Sequence, residues 1–284
     1  MASKTQVRPT KSDSNVLIFG GGATERNPQN GVNNGPFTPA PSSNIQLICI
    51  FPQDDITPAR QLLSFFRDGY KNKYFSGLKK YTGKDFSFAP SDLHIQFVDK
   101  KNPIPEIENF LYNADQNQKI NSEVSHLALY LTPISKYATS KEDRKIYYFI
   151  KELLLKYNIV SQCIETQKML KVLHDDNTKT DYKGQPLKNF AYTLQNMAIA
   201  INAKLGGTPW RINTQKQDEL IVGVGAFKNT DTNTQYIGSA FSFDNTGAFN
   251  SFEYFQKDEL KELAGSIKNA ILNFSSANGI PNAL

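Results

Sequence analysis

Residues 45–51, IQLICIF, form an apolar run of the length of a buried strand, and the pattern that continues from it decides the fold. Residues 57–70 follow with apolar side chains at helical spacing. Further strands are predicted at 93–99 and 126–133, and further helices at 105–114 and 141–157. Strands that alternate with helices of this length favour a mainly parallel, doubly wound α/β sheet with helices on both faces.

The second half of the chain changes character. Ser140 is predicted to cap the helix at 141–157, because Asp143 stands three residues later in a variant of the capping box. A long helix is predicted over 187–205, with Gly206 and Gly207 as its end. The segments between these helices are interpreted as short apolar pieces at 159–164 and 169–173 and a polar excursion at 174–186. From residue 209, three strands joined by Asn and Gly turns and a helix at 258–276 predict a second, antiparallel unit.

Composition sets wide limits on function. The 284 residues carry 32 Lys and Arg against 27 Asp and Glu, a net charge of +5 that permits an acidic partner without arguing for one. Cys49 and Cys163 each lie in an apolar run, which predicts buried free thiols in a reducing compartment. No apolar stretch reaches the roughly 18 residues of a membrane span. These features favour a soluble, cytoplasmic protein.

Two stretches near the amino end are interpreted as irregular. Gly20–Gly22 follow a short strand, but no Lys-Ser/Thr pair follows at phosphate-loop spacing, so a plain turn is predicted. Residues 23–44 are rich in Asn, Gly, Pro and Ser and are predicted to contribute no core element.

A cluster of polar residues at 147–204 is the strongest candidate site. Tyr147 and Lys151 are four residues apart on one helix face, Gln162 follows that helix, and Asn196 and Lys204 lie on the next long helix. If the helices are neighbours at the carboxyl ends of the strands, these side chains supply a stacking ring, two ammonium groups and two amides for a terminal phosphate and its base. The alternative is that both lysines are solvated helix residues, Lys204 complementing a helix C-terminus.

The same segments resemble a known family. KIYYFIKELLLKYNIVSQCI, TLQNMAIAINAKLGGTPW and ELIVGVGAF are similar to the MID domain and the start of the PIWI domain of Argonaute proteins. The resemblance implies a Rossmann-like MID domain followed by the first part of an RNase H-like PIWI domain. It assigns residues 1–13 to a polar tail, 14–207 to a lead-in segment and MID domain, and 208–284 to an incomplete PIWI domain. A short prokaryotic Argonaute is the nearest match, and the MID-PIWI part of a long inactive Argonaute is the alternative.

The resemblance also implies roles for individual residues. Tyr147 matches the ring that stacks on the first guide base, with Tyr148 as its rival, since a register error of one residue exchanges them. Lys151, Gln162 and Lys204 match the residues that bind the 5'-phosphate, and Asn196 is a further donor. Eukaryotic members carry another lysine where this chain has Ala200. Prokaryotic members often replace that charge with a divalent cation held partly by the C-terminal carboxylate, so the resemblance allows a Mg²⁺ ion at the guide 5'-phosphate.

Gly225 stands at a position that matters for nuclease activity in the family that the sequence resembles. RNase H-like nucleases place an Asp on the first strand to hold catalytic metal ions, and the matching position in LIVGVGAF is Gly225. Glycine offers no carboxylate, so the resemblance implies a catalytically inactive protein. The sequence stops at GIPNAL, about where the strand of the second acidic residue is expected.

The implied function is the binding of a 5'-phosphorylated guide RNA and the recognition of complementary DNA or RNA targets in prokaryotic antiviral defence. The resemblance further implies a separate APAZ-containing effector chain with a TIR, Sir2 or nuclease domain. A doubly wound module that binds a nucleotide or small molecule remains the alternative, because its ligand would occupy the same strand ends.

Overall fold

The chain divides into two compact units. The computed structural model describes residues 16–71, 74–120, 123–135, 137–214, 219–229, 234–244 and 249–278. The larger unit comprises Phe19–Ala23 and Gln29–Trp210, and the smaller unit contains Thr24–Pro28 and the described residues of 16–18 and 211–284. The predicted tail at 1–13 lies outside the described residues, and the assignment of 14–207 and 208–284 to two named domains stays a prediction.

The secondary structure follows the alternation seen in the sequence. The strands are β1 Leu17–Ile18, β2 Thr24–Glu25, β3 Ile45–Pro52, β4 Phe86–Phe88, β5 Ile95–Phe97, β6 Ser125–Thr132, β7 Val160–Glu165, β8 Arg211–Ile212, β9 Leu220–Gly223, β10 Ala226–Asn229, β11 Thr234–Asp244 and β12 Phe249–Gln256. The α-helices are α1 Pro28–Gly31, α2 Ile56–Asp68, α3 Leu78–Thr82, α4 Ile104–Gln116, α5 Lys141–Lys156, α6 Thr166–Thr178, α7 Asn189–Lys204 and α8 Leu260–Ala277. Short 3₁₀ turns occur at Gly20–Gly22, Val32–Asn34, Gln53–Asp55 and Ser91–Leu93.

A parallel sheet forms the centre of the larger unit. Its order is β4-β3-β6-β7. β4 pairs with the first half of β3, and β5 pairs with the second half of β3 along the same edge. All of these pairs are parallel. The predicted doubly wound α/β fold is therefore confirmed for this unit.

The sheet is buried on both faces, as parallel sheets usually are. On one face, Ile48, Ile50 and Tyr130 pack with residues of α4 and α5 in a single core cluster. The alternate residues of β3 and β6, such as Leu47 and Leu129, are also fully buried. Helix α2 contacts β3, and α6 and α7 contact β7, so this second group covers the other face.

The ends of α5 and α7 are built by capping. The backbone N–H of Asp143 donates to Ser140 Oγ at 3.2 Å, which confirms the predicted cap of α5. Gly206 has φ +87°, its N–H donates to the carbonyl of Ala203, and that of Gly207 donates to the carbonyl of Asn202. This is a Schellman turn, and it makes Lys204 the last residue of α7.

The first turn of α7 is capped from a distant residue. Asp176 on α6 is 2% exposed, and its two carboxylate oxygens accept hydrogen bonds from the backbone N–H groups of Asn189 and Phe190, both at 2.9 Å. A carboxylate at this position satisfies two amides without an intrahelical partner and complements the helix dipole.

We expect Asp176→Ala to lower the free energy of unfolding by about 2–3 kcal/mol, because it removes two charge-assisted hydrogen bonds and leaves buried amides unpaired. Asp176→Asn is expected to recover part of the loss, since its amide oxygen still accepts one bond. Urea unfolding checks both variants. Asp175→Ala, which removes only a surface ion pair with Lys179, should change stability by less than about 0.5 kcal/mol.

Several sequence predictions were incomplete. Residues 169–173, interpreted as a short apolar piece, belong to α6, which continues to Thr178 inside the predicted polar excursion. Val32 and Ala40, in the stretch predicted to contribute nothing to the core, are 5% and 0% exposed, because α1 and the following turns fold this stretch inward. Cys49 is a buried free thiol as predicted, whereas Cys163 is free but only partly buried.

The smaller unit contains an antiparallel sheet. β12 pairs with one side of β11, whose two halves also pair with β9 and β10. The first of the three strands predicted after residue 209 is therefore interrupted at Val224 and Gly225, where these two residues stand opposite three residues of β11. Gly225 lies in this connection rather than within a strand.

Candidate functional site

The carboxyl end of α7 lies against the middle of β7. The Schellman turn leaves Lys204 at the helix end, and its ammonium nitrogen donates to the carbonyl of Ser161 and to Oε1 of Gln162, both at 2.8 Å. The amide nitrogen of Gln162 donates to the carbonyl of Cys163 at 3.1 Å. The side chain of Gln162 is thereby oriented with its oxygen toward the lysine.

Helix α5 supplies the other half of the cluster. Lys151 Nζ lies 5.8 Å from the centroid of the Tyr147 ring, as expected for side chains one helical turn apart. Tyr147 is partly buried and hydrogen-bonds to the side chain of Cys163. Burial, with a further contribution from Cys163, raises the pKa of Tyr147 well above its ordinary value, so the phenol is neutral at physiological pH.

The two lysines lie close enough to influence each other. Burial against β7 and, next in size, the charge of Lys151 lower the pKa of Lys204 below its ordinary value of 10.5. Among the described residues, neither ammonium group forms an ion pair with a carboxylate. Two neighbouring cations without an acidic partner form a site that favours an anion, because an anion relieves their repulsion.

We expect Lys151→Ala to raise the pKa of Lys204 toward 10.5. The folded chain binds the Lys204 proton less tightly than the unfolded chain, so the free energy of unfolding rises with pH between the lowered pKa and 10.5. The variant should make this rise smaller. NMR titration of the ¹³C-labelled lysine side chains measures the shift. Lys156→Ala, which removes an exposed lysine of the same helix, should leave the Lys204 titration unchanged.

The other predicted site residues have different surroundings. Tyr148 is 58% exposed, and its ring packs edge-on against Tyr147 with centroids 5.2 Å apart. Asn196 is exposed eight residues before Lys204, about 12 Å along the helix axis. Within the described part of the chain, no hydrogen bond links Asn196 to the cluster. The structure thus brings Tyr147, Lys151, Gln162 and Lys204 together and leaves Asn196 apart.

Two members of the cluster were missed as site residues in the sequence. The Ser161 carbonyl and the Cys163 side chain flank Gln162 on β7, and both contact a predicted residue. The sequence contained a signal for both, because Ser161 and Cys163 are the direct neighbours of Gln162, which was already predicted to belong to the site.

A cavity of about 200 Å³ opens beside Cys163, between β7, α6 and α7. Lys168 and Glu165 line it together with Met169 and Met197. Larger cavities of about 510 and 330 Å³ lie elsewhere in the larger unit, at His126 and at Asn113. Each of these two cavities is lined by a single lysine among the described residues. The cluster with two lysines, Lys151 and Lys204, is therefore the candidate anion site.

The comparisons with known proteins agree with this architecture. The family model of the Piwi domain matches residues 138–281, about half of the chain. The chain belongs to the Piwi domain family. The match begins just before the cap of α5 and includes every predicted site residue. The Argonaute resemblance read from the sequence is therefore confirmed.

Relatives of this Piwi-family chain are Argonaute proteins. It is 26% identical over 229 residues to the protein argonaute of Cereibacter sphaeroides, an alignment that covers 76% of this chain and 27% of the relative. The Clostridium butyricum Argonaute bound to a guide DNA and a 19-mer target DNA matches with a TM-score of 0.61 at 20% identity, over 94% of this chain and 34% of the other. The Marinitoga piezophila Argonaute in complex with a 5' OH guide RNA matches with a TM-score of 0.57 at 12% identity, over 93% and 38%.

These likenesses establish the fold of the Piwi-family chain. It is mixed α/β with a parallel sheet and is structurally similar to the MID-PIWI part of Argonautes. The chain spans about a quarter to two fifths of the length of these relatives. In the described residues, no helix combines the length and apolarity needed to cross a membrane.

Proposed function

We propose that this chain anchors the 5'-phosphorylated end of a guide strand in the cluster of Tyr147, Lys151, Gln162 and Lys204. The observation that carries the proposal is the convergence of two ammonium groups, from α5 and α7, at the edge strand β7 and beside a partly buried ring. The lysines act as point charges for the phosphate, Gln162 as a neutral donor, and Tyr147 or the exposed Tyr148 as the stacking platform for the first base.

Support for a guide strand comes from the fold and from what the related structures contain. The Clostridium butyricum Argonaute holds a guide DNA and a target DNA, and the Marinitoga piezophila Argonaute holds a guide RNA. We infer that this chain likewise holds a small guide RNA that pairs with complementary target DNA or RNA. Base pairing then supplies the sequence specificity, and basic side chains contact phosphates, so affinity falls with salt.

The test compares one RNA with a 5'-phosphate and the same RNA with a 5'-hydroxyl. We expect the phosphorylated strand to bind at least about tenfold more tightly, since charge-assisted hydrogen bonds to a phosphate contribute roughly 1.5–3 kcal/mol each. Equal affinities, or a preference for the 5'-hydroxyl RNA, would contradict the assignment. A mononucleotide that competes as well as the RNA would favour a nucleotide-binding module.

The proposal includes a Mg²⁺ ion at the guide phosphate. In the described residues, no group of three or more His, Cys, Asp or Glu is arranged to hold a metal ion. The ligand that we propose for this ion is the guide phosphate itself. Such an ion would supply the positive charge that Ala200 does not. Chelation with EDTA is expected to weaken binding of the 5'-phosphorylated RNA and to leave the 5'-hydroxyl RNA unaffected.

We also propose that the chain does not cleave its target. Gly225 is exposed, and a Cβ built on it meets no atom within 4 Å, so a larger residue would fit and crowding does not explain the glycine. An Asp at this position is what RNase H-like metal catalysis requires. Guide-loaded protein incubated with complementary target and Mg²⁺ or Mn²⁺ should yield no product. Cleavage at a single phosphodiester would refute this.

The biological setting is the most distant part of the proposal. We propose a cytoplasmic role in prokaryotic defence, in which the guide-loaded chain signals to an APAZ-containing effector with a TIR, Sir2 or nuclease domain. Support comes from the Argonaute fold together with the position of Gly225, since a chain that does not cut needs another source of chemistry. Coexpression with the product of the adjacent reading frame tests it: a stable complex whose effector activity requires guide and target is expected.

A further inference from the structure

The turn between α6 and α7 presents a tyrosine to solvent. Asp181 organises this turn: its backbone N–H donates to the carbonyl of Gln185 at 2.8 Å, and its carboxylate accepts from the N–H groups of Lys183 and Gln185 at 2.8 and 2.9 Å. Gly184 completes the turn at φ +74°. Tyr182, at its tip, is 92% exposed. These hydrogen bonds hold the backbone that carries Tyr182 at the tip of the turn.

Lysine and tyrosine side chains are paired around this turn. Lys183 Nζ lies 5.3 Å from the centroid of the Tyr182 ring, and Lys188 Nζ lies 4.5 Å from that of Tyr74. Lys188 also feels the charge of Asp181, which places the second pair beside the turn. We call Tyr74, Tyr182, Lys183 and Lys188 the α6–α7 surface.

The nearby carboxylates leave this surface with positive charge available. Asp176 uses both carboxylate oxygens to cap α7, and Asp175 is paired with Lys179. The carboxylate of Asp181 is directed into its own turn. Among the described residues, the ammonium groups of Lys183 and Lys188 form no ion pair.

The α6–α7 surface is distinct from the phosphate cluster. It lies at the amino end of α7, whereas Lys204 ends that helix sixteen residues later. At 1.5 Å per residue the two ends are about 24 Å apart. The residues of the surface are therefore separate from those proposed to hold the guide 5'-phosphate.

We propose that the α6–α7 surface binds single-stranded nucleic acid, with one base stacked on Tyr182 and adjacent phosphates on Lys183 and Lys188. An exposed ring next to ammonium groups suits the binding of strands without a fixed sequence, because every base has a stacking face and every nucleotide a phosphate. An acidic peptide would use the lysines but would have no use for the exposed ring. The inference rests on the proposed function only in its class of ligand.

Fluorescence anisotropy with a labelled 5'-hydroxyl oligouridylate of about 20 nucleotides tests the surface, since that length exceeds the usual site size. The full chain carries Lys151→Ala and Lys204→Ala in every sample, so the phosphate cluster does not contribute. We expect Tyr182→Ala to weaken binding at least about fivefold and Tyr182→Phe to retain it, because stacking needs the ring and not the hydroxyl. Lys183→Ala with Lys188→Ala should reduce the slope of log affinity against log salt by about two.

Matched controls come from α4 and the loop before it. Tyr112 and Lys101 are exposed, and Tyr112→Ala with Lys101→Ala should leave binding unchanged. A loss of less than twofold in Tyr182→Ala, an equal loss in Tyr182→Phe, or an equal loss in the control variant would overturn the proposal. Displacement of the RNA by polyglutamate at the same charge concentration would instead identify an acidic-peptide site and would also overturn it. A missing 5'-phosphate preference in the unaltered chain would count only against the guide site.

Discussion

Replacing Lys204 by alanine is expected to lower the affinity for a 5'-phosphorylated guide by roughly 10- to 100-fold, because each charge-assisted hydrogen bond to the phosphate contributes about 1.5–3 kcal/mol. The affinity for the same strand with a 5'-hydroxyl should change by less than about twofold, since its other phosphates do not enter the cluster. Lys151→Ala is expected to act in the same direction. Anisotropy titrations with both RNAs measure these effects directly.

The controls separate charge from packing. Lys204 also donates to Ser161 and Gln162, so its removal disturbs β7 as well as the proposed phosphate site. Lys204→Arg keeps a cation that reaches both acceptors and should restore part of the preference, whereas Lys204→Met keeps only the aliphatic length and should not. Lys156→Ala, on the exposed side of α5, should bind both RNAs like the unaltered chain. The assignment of this cluster fails if Lys204→Ala weakens the two RNAs equally.

Phe190→Ala is expected to lower the free energy of unfolding of the larger unit by about 3–5 kcal/mol, the usual cost of removing a buried aromatic ring. Phe190 is completely buried in the first turn of α7, and its ring packs edge-on against Phe65 and Tyr70, with centroids 5.5 and 5.1 Å apart. Its backbone N–H is one of the two held by Asp176. The substitution therefore leaves a cavity next to Phe65 and Tyr70.

The single tryptophan makes this prediction measurable. Trp210 belongs to the larger unit and contacts Phe19 with ring centroids 5.8 Å apart, so its fluorescence reports the unfolding of that unit in urea. Tyr192→Ala removes a partly exposed ring two residues further along α7 and should cost much less, about 0.5–1 kcal/mol. Similar losses in the two variants would show that Phe190 does not anchor the helix.

Most of the fold could be predicted from local sequence patterns. The apolar runs of β3 and β6 are long and continuous, which is typical of buried parallel strands, and Ser140 with Asp143 marks the start of α5 through contacts three residues apart. The short strand β4 was missed, because three residues do not establish a period. Helix α6 was missed because its residues from His174 onward are polar and because the helix follows β7 without a linker.

The candidate site could be predicted only in part, because some of its contacts join residues that are far apart in the sequence. Tyr147 and Lys151 share a helix, so their proximity follows from helical geometry. The contact of Lys204 with Gln162 joins residues 42 positions apart and depends on how α7 packs on β7. The cap that Asp176 gives to Asn189 is likewise non-local, and no capping motif adjacent to α7 announces it.

Helix α7 is held at both of its ends, by Asp176 at Asn189 and Phe190 and by the Lys204 contacts with β7 at the other. A helix fixed in this way cannot fray from either terminus, so its backbone amides exchange with solvent mainly when the whole helix opens. Occupation of the Lys204 end by a ligand would then slow exchange at the opposite end, about 24 Å away. Guide loading should be visible in the deuterium uptake of every turn of α7.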